Sequence, residues 1–226
     1  MPTKPLNIPS WNMDVLCQHT ELGDRVVSIA ILNNEDIIAT RGLLNRVYIW
    51  DRKQRTLIRT LNPETPEYLE ALFAIASHSS LPYFAYVETK GTVCVMHTVT
   101  WDRLTTLADV EDYAIDLAFD PRLPRIVVGC FIDRIIIWDI PANTEVAAAD
   151  IYNTPFRVSF SHDSILVSAF CEDGCCRIVA VESGTLTHQL TCAEGKFRDA
   201  LFSPSHPLLL TCLLYTSPSP RDRQKS

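Results

Sequence analysis

The clearest hydrophobic pattern lies at residues 134–140, where three consecutive isoleucines precede a tryptophan and an aspartate. Successive side chains of a strand point to opposite faces of its sheet, so an unbroken apolar run leaves neither face suited to water. We therefore predict a β-strand that is covered on both faces. A similar run at residues 47–51 also ends in Trp-Asp.

Four runs of this kind recur at a nearly constant spacing. They end at Trp50, Met96, Trp138 and Val179, which are separated by 46, 42 and 41 residues. Self-similarity at roughly 40 to 45 residues is typical of the four-stranded blades of a β-propeller. Sheets stacked radially cover one another, as the isoleucine run requires. The spacing therefore predicts an all-β chain of successive four-stranded sheets.

A second apolar position follows the same repeat. Ile31, Phe119 and Phe160 each precede the run end of their repeat by 19 residues, an interval that holds two strands and two turns. Ile75 precedes Met96 by 21 residues, so we expect a two-residue insertion in the second repeat.

The repeat divides the chain into three parts. Residues 1–13 are predicted to be a flexible leader, and residues 14–212 a partial propeller. Its blades are expected at about 26–61, 68–107, 113–149 and 156–190, with the start of a fifth at 197–212. Residues 213–226 include Ser-Pro-Ser-Pro and resemble translated vector or adapter sequence, or else a disordered linker. They are therefore excluded from the fold prediction.

Composition and charge narrow the function classes. The chain is 47% hydrophobic and 21% charged, as in ordinary globular proteins. Its net charge of −7 becomes −9 without the three cations and one acid of the tail. Because nucleic-acid binding needs a basic face, none is expected. No apolar run approaches the ~18 residues of a membrane span. Residues 1–10 lack the apolar core of a secretion signal, so we expect a cytoplasmic or nuclear location.

Eight cysteines invite a disulfide or metal interpretation. In a cytosolic or nuclear protein, however, reduced thiols are expected. Cys171, Cys175 and Cys176, with His162 and His188 nearby, lack the paired spacing of a zinc site. The remaining cysteines are Cys17, Cys94, Cys130, Cys192 and Cys212. No metal site is predicted.

Catalytic motifs are also missing from the sequence. Ser161, His162 and Asp163 are contiguous turn residues without a nucleophile elbow, and the seven glycines form no phosphate-binding loop. We therefore predict no catalytic residue, no cofactor and no small-molecule substrate.

Two surface features have alternative interpretations. A basic cluster is interpreted as a solvated loop between the third and fourth strands of the first blade, or else as a contact site for an acidic partner. Its members are Arg41, Arg46, Arg52, Lys53, Arg55 and Arg59. Trp101 is expected to pack against the neighbouring blade, or else to be exposed at an interface.

The Trp-Asp pairs resemble the signature of WD-repeat β-propeller proteins. The resemblance covers residues 14–212 and makes Trp50, Asp51, Trp138 and Asp139 the structural signature. It implies an incomplete propeller of about four blades and the start of a fifth, with Trp138 wedged between blade faces. Two or more further blades would complete the commonest ring of that family. The resemblance also implies a non-catalytic scaffold that binds other proteins of a multi-subunit complex.

A weaker resemblance offers an alternative. Residues 117–120, Leu-Ala-Phe-Asp, with Ile140 and Pro141, look like the phosphoinositide-binding PROPPIN propellers of autophagy. The Phe-Arg-Arg-Gly lipid motif of that subfamily would fall on residues 149–152, which read Ala-Asp-Ile-Tyr. The alternative is therefore an autophagy or membrane-trafficking propeller that has lost its lipid motif. Stable membrane binding is not expected.

Overall fold

The computed structural model describes residues 24–32, 36–44, 46–61, 74–88, 92–107, 114–191 and 196–214. Within these ranges the backbone forms strands and turns but no helix, so no membrane-spanning helix occurs there. The predicted all-β class is confirmed. The predicted leader, the start of the second blade and most of the tail lie outside the described residues.

Eighteen strands follow one another in the described ranges. They are β1 (Val26–Ile31), β2 (Ile37–Gly42), β3 (Val47–Asp51), β4 (Thr56–Leu61), β5 (Ile75–Ser77), β6 (Tyr83–Val87), β7 (Val93–His97), β8 (Arg103–Leu107), β9 (Ala114–Phe119), β10 (Arg125–Cys130), β11 (Arg134–Asp139), β12 (Thr144–Asp150), β13 (Pro155–Phe160), β14 (Leu166–Cys171), β15 (Cys176–Ala180), β16 (Leu186–Leu190), β17 (Lys196–Phe202) and β18 (Leu209–Leu214).

The strands form successive antiparallel sheets, as the spacing predicted. Sheets one to four contain β1–β4, β5–β8, β9–β12 and β13–β16, each paired in chain order, and β17 pairs with β18. The first strand of each sheet contacts the first strand of the next. This arrangement is compatible with a propeller-like fold. No closed ring is formed by the described residues.

The core consists of apolar layers between neighbouring sheets. Four clusters of buried side chains each combine residues of two consecutive sheets. Ile136 lies in the layer between sheets two and three, whereas Ile135 and Ile137 lie between sheets three and four. All three are almost fully buried. The strand is therefore covered on both faces, and each buried isoleucine contributes about 1.5 to 3 kcal/mol.

Strand pairing corrects the predicted insertion. In sheet two, Ser77 pairs with Phe84, which pairs with Met96, just as Phe119 pairs through Ile126 with Trp138 in sheet three. Ser77 precedes Met96 by 19 residues, so the interval is the same in all four sheets and no insertion exists. The prediction was wrong because it followed apolar residues, and a serine occupies this position.

The turn between the third and fourth strands is also repeated. A β-bulge interrupts the pairing at the run end of every four-stranded sheet. One residue of each turn has a positive φ: Arg55, Trp101, Asn143 and Gly184. A side chain at Gly184 would also meet the Ala148 carbonyl oxygen at 2.4 Å, so glycine is required there.

Candidate interaction surface

The two signature tryptophans lie at the bulges and form hydrogen bonds within their sheets. Trp50 Nε1 donates to Thr40 Oγ1 at 2.8 Å, and Trp138 Nε1 donates to Asn143 Oδ1 at 3.4 Å. Asn143 Oδ1 also accepts a hydrogen bond from the Thr105 hydroxyl of sheet two. Trp138 packs against the layer between sheets two and three but is only half-buried. The Trp138 ring is therefore less buried than the predicted position between two blade faces requires.

The signature aspartates cap the turn that follows them. Asp51 Oδ1 accepts a hydrogen bond from the Gln54 amide at 2.7 Å, and Asp139 Oδ1 accepts one from the Ala142 amide at 2.9 Å. His97 occupies this position in sheet two, and its Nδ1 accepts from two backbone amides. The aspartates thus have a structural role, because they satisfy turn amides that would otherwise lack a protein acceptor.

A second set of polar caps joins neighbouring sheets at the turns between their first and second strands. Asp120 is buried, and its Oδ1 accepts from the amides of Arg122 and Leu123 and from the Ser164 hydroxyl of sheet four. His78 occupies the matching position in sheet two, and its Nε2 lies 3.2 Å from the Leu123 carbonyl oxygen. These side chains connect the turns of sheets two, three and four.

Asp116 provides a further connection between sheets. Its Oδ2 accepts a hydrogen bond from the Val158 amide at 2.9 Å, which joins β9 to β13. Burial raises the pKa of this carboxyl to about 6, although the hydrogen bond from Val158 opposes the shift. Because its hydrogen bond joins two neighbouring sheets, Asp116 has a structural role.

Four cysteines of the described residues are buried free thiols, namely Cys94, Cys130, Cys171 and Cys176, whereas Cys175 is half-buried and Cys212 is exposed. Burial raises the pKa of Cys171 to about 11 and that of Cys176 to about 12, so neither forms a thiolate readily. Cys171 and Cys176 lie in different apolar layers. In the part of the chain that the structure describes, no group of three histidine, cysteine or acidic side chains could hold a metal ion.

The basic cluster does not form one surface. Arg41 is buried on β2, where its Nη1 donates to the Ala74 carbonyl oxygen at 3.2 Å, so the prediction of a solvated loop is wrong for this residue. Lys53 pairs with Asp36 at 2.6 Å. The Arg59 guanidinium lies 5.9 Å from the centre of the Trp101 ring. Trp101 packs against the layer between sheets one and two, as its first interpretation expected.

The sheets have two ends with different connections. One end carries the turns between the first and second and between the third and fourth strands, and we call it the turn end. The other carries the turns between the second and third strands and the links to the next sheet, and we call it the connection end. This division follows directly from the antiparallel order of the strands.

An exposed group of apolar side chains lies at the connection end of sheets three and four. Phe131 and Ile132 occupy the turn between β10 and β11, and their exposed fractions are 60% and 63%. Tyr152 lies in the link to β13 and is 76% exposed, and Phe156 on β13 is 49% exposed. We call these four side chains the apolar patch.

Hydrogen bonds hold the backbone beneath the apolar patch in place. The Thr154 hydroxyl lies 3.2 Å from both the Phe131 carbonyl oxygen and Asp133 Oδ1, and the Ile151 amide donates to the Asp133 carbonyl oxygen at 2.7 Å. On the other side of the link, Asn153 Oδ1 accepts from the Asp173 amide. The link therefore runs between the turns of sheets three and four and contacts both.

The apolar patch was not predicted from the sequence. Its residues come from two separate segments, which the pairing of β11 with β12 and the hydrogen bonds from Ile151 and Thr154 bring together. The available signal was the Phe131-Ile132 pair in a turn between two predicted strands, where polar residues are usual. By contrast, the Trp-Asp pairs that the sequence emphasised have structural roles at the turn end, where the aspartates cap turns and the tryptophans form hydrogen bonds within their sheets.

Comparison with known proteins adds no assignment. No protein-family model matches the sequence, and no curated protein matches it significantly.

Proposed function

We propose that this chain is part of a WD-repeat-like β-propeller that acts as a non-catalytic scaffold and binds other proteins at the connection end of its sheets. The four stacked sheets, their uniform 19-residue interval and the aspartate-capped turns support the propeller assignment. A multi-subunit complex in the cytoplasm or nucleus is the setting that such a scaffold implies.

The apolar patch carries this proposal. Single exposed apolar side chains are common on protein surfaces, but several exposed aromatic residues at one end of the sheets, on a supported backbone, are typical of interfaces. Three of its four members are aromatic, and the link between them contacts turns of two sheets. A surface of this kind loses little conformational freedom when a partner binds, which favours affinity.

The phosphoinositide alternative gains no support from the corresponding segment. Asp150 is exposed at the end of β12, and Ile151 is fully buried, so neither matches an arginine that could bind phosphate. We expect the protein to remain in the soluble fraction when it is floated with vesicles containing phosphatidylinositol phosphates. Salt-sensitive flotation would restore the lipid alternative.

Site-specific photocross-linking tests protein binding at the apolar patch. Benzoylphenylalanine is placed at Tyr152 in one variant and at Ile165 in a control. Ile165 is 60% exposed but lies at the turn end of sheet four. We expect discrete protein adducts from position 152 that are missing from position 165. The same adducts from both positions, or none from position 152 in a folded protein, would refute the proposed surface.

A further inference from the structure

Building on the proposed function, we infer that the apolar patch binds a linear peptide segment of a partner protein in which apolar side chains alternate with or adjoin lysine and arginine. The inference depends on the charges around the patch. It defines the chemical class of the partner, which the scaffold proposal leaves open.

Three exposed carboxylates surround the apolar patch. Asp133 follows Ile132 in the turn of sheet three, Asp150 ends β12 two residues before Tyr152, and Glu172 lies in the facing turn of sheet four. None of the three forms an ion pair with a residue of the described ranges. Their charges are therefore available to a partner.

The nearby cations are largely engaged elsewhere. Arg177 forms two hydrogen bonds with the Asp173 carboxylate, at 3.1 and 2.6 Å, and Arg157 lies 3.7 Å from Asp199. Arg134 is half-buried at the start of β11, opposite Asp150 in the strand register but without an ion pair to it among the described residues. The acids Asp133, Asp150, Glu172 and Asp173 still outnumber the cations Arg134 and Arg177. The surroundings of the patch therefore carry net negative charge, as does the whole chain at −7.

The placement of these groups fits an elongated ligand. The Glu172 amide donates to the Thr154 carbonyl oxygen at 2.9 Å, so the turn that carries Glu172 lies directly beside the link. Asp133 and Asp150 lie on the sheet-three side of the link, and Glu172 lies on the sheet-four side. A peptide lying over the link can bury apolar side chains on the patch while its cations face carboxylates on both flanks. Such complementarity governs specificity and association rate.

Peptide selection with a charge-reversed variant tests the inference. A displayed library of random linear peptides is selected on the unmodified chain, on Asp150→Lys with Glu172→Lys, and on a control. The control is Asp102→Lys with Glu145→Lys, which reverses two exposed acids at the turn end. Glu145 lies on β12 like Asp150, Asp102 lies in a turn like Glu172, and the two double variants change the net charge equally.

We expect the unmodified chain and the control to enrich peptides with apolar residues next to lysine or arginine. The charge-reversed variant should bind these peptides about tenfold more weakly and favour acidic neighbours instead. A double variant, Ile132→Ser with Tyr152→Ser, should bind neither the peptides with basic residues nor those with acidic residues.

Three results would overturn the inference. They are enriched peptides without a charge preference, peptides unaffected by the apolar substitutions, and binding of anionic vesicles in place of peptides. Adducts at position 152 in the cross-linking experiment would still support a scaffold if the peptide preference failed. The two proposals are thereby tested separately.

Discussion

Replacing Asp120 tests the connection between sheets three and four. Asp120 is fully buried, and its Oδ1 accepts hydrogen bonds from two amides of its own turn and from Ser164 of the next sheet. The Asp120→Ala variant removes the acceptor from all three donors. An unsatisfied donor costs about 1 to 3 kcal/mol when it is buried, as the Ser164 hydroxyl is, and less for the two partly buried turn amides.

Part of this loss in the free energy of unfolding is offset. Asp120 Oδ2 is buried and has no hydrogen-bond partner among the described residues, so the substitution also removes a poorly solvated oxygen. The net loss for Asp120→Ala should be about 2 to 4 kcal/mol. Asp120→Asn keeps Oδ1 and should lose about 1 kcal/mol. The control Asp139→Ala removes one hydrogen bond from a partly exposed turn and should lose about 0.5 to 1 kcal/mol.

Urea unfolding followed by tryptophan fluorescence measures these losses, at concentrations where light scattering shows a monodisperse protein. In a double-mutant cycle, Asp120→Ala and Ser164→Ala should show a coupling of about 1 kcal/mol, because the two side chains contact each other. A loss for Asp120→Ala no larger than that for Asp139→Ala, together with no coupling, would refute the connection between the sheets.

Three further outcomes follow from other contacts. Trp138→Ala should destabilise the protein by about 2 to 3 kcal/mol, because the ring is only half-buried, and an unchanged melting curve would contradict its packing. The raised pKa of Asp116, about 6, means that its folded form binds a proton more tightly than its unfolded form. The free energy of unfolding should therefore decrease as the pH rises from about 4 to 6, and Asp116→Asn should flatten this dependence. An unchanged pH dependence in Asp116→Asn would refute the assignment to Asp116. Ile29 and Ile31 on sheet one and Leu210 on β18 are exposed, so light scattering should detect self-association that Ile31→Lys with Leu210→Lys reduces; a monomer at all concentrations would contradict this.

Apolar periodicity predicted the sheets because it reflects burial on both faces. The isoleucine run at Ile135–Ile137 could belong only to a covered strand, and the structure confirms this. Polar positions of the same repeat were harder to align. Ser77 lies where the other three sheets have a large apolar residue, which produced the false insertion at Ile75.

Predicted features failed where they depended on which face a residue occupies. An open arc of blades has an uncovered face at each end, and the sequence predicts Val47 and Ile49 on that of the first blade. Val47 and Ile49 are instead buried against sheet two, and Ile29 and Ile31 occupy the open face. At the other end the predicted residues are Leu208 to Leu210. Leu208 and Leu210 are exposed, whereas Leu209 packs against sheet four. Face assignment depends on the register, and a shift of one residue exchanges the two faces.

The stacking of sheets is tested most directly by nuclear Overhauser effects between isotope-labelled methyl groups. Ile136 should show contacts with methyl groups of sheet two, such as those of Val93 and Val95, which lie in the same apolar layer. Ile135 and Ile137 should show contacts with methyl groups of sheet four, such as those of Val167 and Val179. This division of three consecutive residues between two neighbouring sheets is the predicted result. Contacts of all three isoleucines with the same sheet, or with neither, would contradict the stacked arrangement on which the apolar patch depends.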